Sequence, residues 1–70
     1  MTKVVDARGL SCPQPVMKAQ EAIKAGDFPI KVLVDTVTSR ENVRRMAEHQ
    51  GCQVEITQDE DEFHLIITRR

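Results

Sequence analysis

The pattern of apolar and polar residues along the chain predicts four strands. The first is a short apolar segment, 3–7, that ends where Arg8-Gly9 marks a turn. The other three alternate apolar with polar residues, as strands with one buried face do. Their apolar positions are Ile30, Val32 and Val34, then Cys52, Val54 and Ile56, then Phe63, Leu65 and Ile67. The acidic turn 59–61 joins the last two strands as an antiparallel hairpin.

A first amphipathic helix is predicted from Pro13 to Ala25, between the first two strands. It opens with proline and stops before Gly26, which is the usual placement of these residues at helix ends. The residues that share its apolar side are Val16, Ala19, Ala22 and Ile23.

A second helix is predicted between the second and third strands, beginning at Thr38 and ending at Gly51. Thr38 and Glu41 have the spacing of a capping box, so we expect the Thr38 hydroxyl to cap this helix. Glu41 is also expected to pair with Arg45, four residues later on the same side. The apolar side of the helix is formed by Val43, Met46 and Ala47.

The order β-α-β-α-β-β predicts an α/β two-layer sandwich: a mixed four-stranded sheet with both helices on one face. The first two strands should be parallel, with a right-handed crossover through the helix. Leu33 and Ile66 fall on the opposite face. They are either a weak dimer patch or ordinary scattered aliphatic residues, so we expect a monomer or weak dimer. With this length, residues 1–70 are expected to form one domain.

Composition narrows the function classes. Net charge is −1 and the aromatic residues are two phenylalanines, which argues against a basic nucleic-acid surface or a base-stacking platform. The apolar runs are too short for a membrane helix, and no signal peptide is visible. Two cysteines do not make a disulfide scaffold. We therefore expect a cytoplasmic protein with reduced thiols, no membrane association and no direct nucleic-acid binding.

The segment Cys12-Pro13-Gln14-Pro15 is the most informative stretch of the chain. If Pro13 is the first helical residue, Cys12 is the N-cap, and its thiolate would accept the Gln14 N–H at the positive end of the helix. Arg8 adds a nearby cation. These influences are expected to lower the Cys12 pKa modestly below its ordinary value of ~8.5 and favour the nucleophilic thiolate. The alternative is a small apolar residue followed by a routine helix-opening proline.

Residues 6–17, Asp-Ala-Arg-Gly-Leu-Ser-Cys-Pro-Gln-Pro-Val-Met, resemble the signature of the TusA-type sulfur carriers, also called the SirA-like or YedF-like family. The resemblance covers nearly the whole chain in length and element order. It implies that Cys12 carries a persulfide sulfur, accepted from a cysteine desulfurase or rhodanese-like donor and passed to an acceptor protein. The residues expected to support this role are Pro13, Gln14, Pro15 and Arg8.

One segment departs from the TusA pattern. Residues 35–39 read Asp-Thr-Val-Thr-Ser, where TusA members carry Asp-Pro-Ala-Thr, and together with 40–43 and 49–51 they look closer to the YedF-like branch. The pathways that the family implies are tRNA thiolation, molybdenum-cofactor assembly, sulfur oxidation and selenium metabolism.

Further candidate residues lie near the predicted ends of the first two strands. Asp35, Thr38 and Arg40, with Asp6 and Arg8, are expected at the edge where parallel strands end and ligands gather, as a partner-docking or anion-binding rim. The alternative for these residue types is turn and cap chemistry.

No cofactor and no metal are expected. His49 and Cys52 are separated by a helix-breaking glycine and have no further ligands near them. Cys52 is expected to face the core as an inert thiol, the alternative being a resolving partner of Cys12. His64 is expected to face solvent, and the acidic run 59–62 to form a solvated hairpin tip.

The favoured function is therefore a persulfide carrier of the sulfurtransferase type. The alternative is a non-catalytic interaction or regulatory module that uses the same surface without sulfur chemistry. RNA binding is a distant third, since it rests on fold analogy with the C-terminal domain of a bacterial translation initiation factor and the charge balance opposes it.

Overall fold

Strands and helices follow one another in the predicted β-α-β-α-β-β order within residues 2–10 and 13–69, the part of the chain that the computed structural model describes. The elements are β1 (Lys3–Asp6), α1 (Gln14–Ala25), β2 (Ile30–Val34), α2 (Val37–His49), β3 (Cys52–Asp59) and β4 (Glu62–Arg69). The predicted fold class is confirmed: two helices pack on a mixed four-stranded sheet.

The strands lie in the order β1-β2-β4-β3. β1 runs parallel to β2, as predicted for strands joined through a helix, whereas β2 and β3 each pair antiparallel with β4. Val32 is level with Val5 on one side and Leu65 on the other, and Leu65 is level with Ile56. This row shows that the apolar positions of all the strands fall on one face of the sheet.

Both helices cover that face. α1 packs on β1 and β2, α2 packs on β3 and β4, and the helices contact each other. The helix residues that are buried are mostly small, among them Ala19, Ala22 and Ala47, which lets the helix backbones approach the sheet closely. Leu65 and Ile67 of β4 are fully buried beneath them. The core therefore lies between one sheet face and one helix layer.

The start of α2 differs from the prediction by one to two residues. Thr36 is the N-cap, in extended conformation, and its hydroxyl accepts the Ser39 N–H at 3.0 Å. Thr38 is exposed in the first turn, so its predicted role as the cap is wrong. Two overlapping cap patterns occur in this segment, and the earlier one is used because β2 ends at Val34 and the chain turns at once.

Glu41 consequently takes no part in a capping box. Its carboxylate accepts hydrogen bonds from Arg44 at 2.6 Å and from Arg40 at 3.1 Å. Arg44 also donates to Glu48 at 2.8 Å. The predicted pairing of Glu41 with Arg45 is therefore replaced by a pairing with Arg44, and the hydrogen bond from Arg44 lowers the pKa of Glu41.

The start of α1 is also one residue later than predicted. Pro13 is the N-cap and Gln14 the first helical residue, with the first helical hydrogen bond running from the Met17 N–H to the Pro13 carbonyl at 3.0 Å. The expectation that Cys12 is the N-cap is therefore wrong, and Cys12 itself lies outside the described residues. The end is as predicted: Gly26 has φ +75°, and its N–H donates to two carbonyls of the last turn.

The other face of the sheet carries no helix among the described residues. Leu33 and Ile66 lie there half-buried, as expected, and Val4 is 55% exposed. Polar residues interrupt these apolar positions, since Ile66 is level with Lys31 and Glu55 on the neighbouring strands. The weak dimer patch stays a prediction. None of the described helices is long and apolar enough to span a membrane.

Candidate functional site

The candidate site lies at the edge of the sheet where β1 and β2 end and both helices begin. The segment 7–13, which we call the motif loop, connects β1 to α1, and its residues 11 and 12 lie outside the described part of the chain. Because parallel strands end at the same edge, the motif loop lies beside the β2–α2 turn that contains Asp35. The two segments are in direct contact through Gly9 and Asp35.

Two hydrogen bonds fix the first half of the motif loop to the end of β2. The Ala7 N–H donates to the Leu33 carbonyl at 2.9 Å, and the Gly9 N–H donates to the Asp35 carboxylate at 2.9 Å. Gly9 has φ +75°, a conformation that glycine adopts without strain. Leu10 packs against the core from the same loop. The chain is therefore held at several points just before it reaches Cys12.

Arg8 adds a third attachment. Its guanidinium binds both oxygens of the Asp6 carboxylate, each at 2.9 Å, and donates to Glu62 of β4 at 3.1 Å. The hydrogen bond from Arg8 lowers the pKa of Asp6 to about 2, and the same contact raises the pKa of Arg8 further above its ordinary value. Two carboxylates face one guanidinium, so this cluster carries net negative charge. The geometry favours a structural role for Arg8 over an anion-binding one.

The remaining rim residues occupy different places. Asp35 is exposed and holds the motif loop, while Thr38 is exposed in the first turn of α2. Arg40 stacks its guanidinium over the Phe63 ring, 4.8 Å from the centroid, and donates to Glu41. Asp35 thus joins the motif loop directly, whereas Arg40 is engaged by its own helix and by β4. Partner docking on this rim stays a prediction.

The first turn of α1 has few backbone donors. Pro13 and Pro15 have no N–H, so the N–H groups that the helix leaves without intrahelical acceptors are those of Gln14 and Val16. Pro15 is fully buried, whereas Gln14 is exposed. The second proline therefore packs as well as removing a donor, which the sequence did not indicate. The positive end of the α1 dipole lies at this turn, directly after Cys12 in the chain.

Cys52 lies in the hydrophobic core and not at the candidate site. It is the first residue of β3, lies 3% exposed within the core, and is a free thiol. The prediction that it faces the core is confirmed. A buried thiol in apolar surroundings is poorly reactive, which disfavours a resolving role.

Glu62 and His64 were expected to be solvated residues of the hairpin, and the structure gives them contacts instead. Glu62 bridges Arg8 and His64, accepting from Arg8 at 3.1 Å and lying 3.0 Å from the His64 Nε2 atom. The contact with His64, followed by that with Arg8, lowers the pKa of Glu62. The His64 side chain is only 17% exposed. Strand alternation places both residues on one face, and the pairing of β4 with β2 brings Glu62 within reach of Arg8 in the motif loop.

Comparison with known proteins agrees with this picture. The family model described as "Sulfurtransferase TusA" matches residues 3–69. The crystal structure of a SirA-like protein from Desulfitobacterium hafniense superposes with a TM-score of 0.84, at 33% sequence identity, covering 100% of both chains. No curated protein sequence matches. The family match thus spans every strand and helix described above, together with the motif loop.

Proposed function

Because the chain belongs to the TusA sulfurtransferase family, its activity is sulfur transfer, and we propose that Cys12 is the residue that carries the sulfur. The observation that carries this proposal is the motif loop. Gly9 attaches it to the β2–α2 turn and Arg8 attaches it to β4, and the chain then enters a proline-bounded helix N-terminus directly after Cys12. The chain before Cys12 is held in place, and the positive end of a helix dipole follows it. We therefore expect the thiol to have a defined position and to be activated.

The proposed chemistry consists of two displacements at sulfur. The Cys12 thiolate attacks the outer sulfur of a persulfide on the donor protein. The sulfur–sulfur bond of the donor breaks, the donor's own thiolate leaves with the electron pair, and the outer sulfur stays on Cys12 with its proton. A nucleophile of the acceptor protein then attacks that outer sulfur, and the Cys12 thiolate leaves. Neither step needs an external oxidant or reductant, so no cofactor is required.

The α1 N-terminus assists both steps. A helix N-terminus stabilises a neighbouring anion by about 0.3–1 kcal/mol at an exposed site. We therefore expect the pKa of the Cys12 thiol to lie modestly below its ordinary value, because the helix N-terminus favours the thiolate. Thiolate is then more abundant for the first displacement and leaves more readily in the second. Arg8 supports the site by holding the motif loop, because its charge is already matched by carboxylates.

The partners follow from the family and from the rim. We propose a cysteine desulfurase or rhodanese-like protein as donor, and an acceptor protein of a cytoplasmic sulfur-relay or selenium-related pathway. Both must reach Cys12. Asp35, which contacts the motif loop, is exposed, and so is Thr38 in the first turn of α2. With Arg40 they form the proposed docking rim.

The proposal is tested by loading the protein with sulfur. The protein is incubated with a cysteine desulfurase and cysteine, and its intact mass is measured. We expect an increase of about 32 Da, one sulfur atom, that dithiothreitol removes. The Cys12→Ser variant should show no increase, while the matched Cys52→Ala variant should load as the unchanged protein does. Loading that survives Cys12→Ser would contradict the assignment, and absence of loading in all three proteins would favour a non-catalytic interaction module.

A further inference from the structure

The β3–β4 hairpin brings three metal-ligating side chains to the open face of the sheet. Asp59 is the cross-strand partner of Glu62, and His64 lies two residues beyond Glu62 on the same face. One ligand atom from each residue lies within 4.8 Å of the others. We propose that these side chains form a binding site for a divalent transition-metal cation, which we call the hairpin site.

The donor set suits a borderline cation. Two carboxylates and one imidazole combine the ligands that Mn²⁺ accepts with the nitrogen donor preferred by Zn²⁺, and water completes the coordination. Bonds to such ions are about 2.0–2.2 Å long, so two donors on one ion lie at most about 4.4 Å apart. The observed 4.8 Å limit is a few tenths of an ångström wider. Asp59 is the exposed ligand of the three, so we expect its side chain to adjust when a cation binds.

Partial burial holds two of the three ligands in place. The Glu62 and His64 side chains are 29% and 17% exposed, and the His64 Nε2 atom already lies 3.0 Å from one Glu62 oxygen. A cation would enter where these two groups now share a hydrogen bond. The surroundings favour a positive charge, because residues 59–62 are four consecutive acidic residues. The imidazole is what separates the hairpin site from an ordinary acidic turn.

Arg8 opposes the cation without blocking it. Its Nη1 atom donates to the Glu62 Oε2 atom at 3.1 Å, whereas His64 contacts the Oε1 atom of the same carboxylate. The guanidinium therefore leaves one Glu62 oxygen available, but its charge repels a neighbouring cation. We expect replacement of Arg8 by glutamine to tighten cation binding.

The test uses Mn²⁺, because thiolates prefer softer ions and Cys12 should compete little for it. Isotope-labelled protein is titrated with MnCl₂, and paramagnetic broadening of amide resonances is followed by two-dimensional NMR. We expect broadening centred on residues 59–64. His64→Gln removes the imidazole without changing a carboxylate, and should weaken binding by about tenfold or more.

The matched control is Glu55→Gln. This exposed carboxylate lies on β3 on the same sheet face, level with Ile66, so it tests attraction by diffuse charge alone. We expect Glu55→Gln to bind Mn²⁺ as the unchanged protein does, and Asp59→Asn to bind less tightly. Resonances outside the hairpin report that each variant is folded. Broadening spread over all acidic residues, or equal binding by His64→Gln and the unchanged protein, would overturn the hairpin site.

Discussion

The hydrogen bond between the Gly9 N–H and the Asp35 carboxylate yields the sharpest prediction about the motif loop. It is 2.9 Å long and joins segments that are 26 residues apart in the chain. We compare Asp35→Ala, which removes the acceptor, with Asp35→Asn, which removes the charge but keeps an acceptor oxygen. The pair separates two roles of Asp35: holding the motif loop, and docking a partner through its negative charge.

The magnitude follows from the contact and its exposure. An intramolecular hydrogen bond contributes about 0.5–1.5 kcal/mol, and an exposed charged acceptor adds little beyond this because water screens it. If the bond selects the transfer-competent loop, losing about 1 kcal/mol lowers that population by up to about fivefold. We therefore expect Asp35→Ala to slow persulfide loading by up to about fivefold, and Asp35→Asn to retain most of the rate.

The assay measures the second-order rate of loading from a cysteine desulfurase by intact mass, at low and high salt. Hydrogen exchange of the Gly9 amide reports the anchor directly, and should be faster in Asp35→Ala than in Asp35→Asn. If the loading rate falls equally in both variants, and the salt dependence of the rate is weakened equally in both, Asp35 acts as a docking charge. Unchanged rates and unchanged exchange in both variants would refute the anchor.

The other predictions concern stability. Thr36→Ala should lower the free energy of unfolding in urea by about 1 kcal/mol, and Thr38→Ala by no more than about 0.5 kcal/mol, since Thr36 is the cap. Leu65→Ala should cost about 2–5 kcal/mol because Leu65 is fully buried, and Ile66→Ala on the open face should cost less. The Asp6 pKa of about 2 lies below the unfolded value of ~3.9, so its stabilisation is complete above about pH 4 and is lost as the pH falls towards 2. When the free energy of unfolding is measured from about pH 4 down to about pH 2, the Asp6→Asn variant should lack this part of the pH dependence.

Each of these predictions has a contrary result. A larger loss in Thr38→Ala than in Thr36→Ala would restore the cap expected from the sequence. Equal losses at positions 65 and 66 would contradict the assignment of the two sheet faces. If the free energy of unfolding of Asp6→Asn falls at low pH as it does in the unchanged protein, the contact between Asp6 and Arg8 does not contribute to stability.

Local patterns accounted for most of the fold. Alternation identifies the buried faces of the strands because a side chain changes face at each residue, and Gly26 ends α1 because it adopts a left-handed backbone. Local patterns locate the first residue of a helix less closely. Thr36 and Thr38 both carry cap chemistry, and the choice between them depends on where β2 ends, which residue patterns locate only within a residue or two.

The contacts of the site could not be found in this way. Arg8 and Glu62 are 54 residues apart, and they meet because β4 lies beside β2 in the sheet. Strand alternation establishes which face Glu62 occupies but not which strand is its neighbour. The cysteine motif, in contrast, is contiguous, and its recognition needed no long-range contact.

The role of Cys12 as the sulfur carrier can be examined by locating the transferred sulfur in the unchanged protein. The protein is loaded from a cysteine desulfurase with radiolabelled cysteine sulfur, digested without reductant, and its peptides are separated. We expect label on the peptide that contains Cys12, loss of that label on addition of dithiothreitol, and no label on the peptide that contains Cys52. Label on Cys52, or on neither peptide, would contradict the role of Cys12.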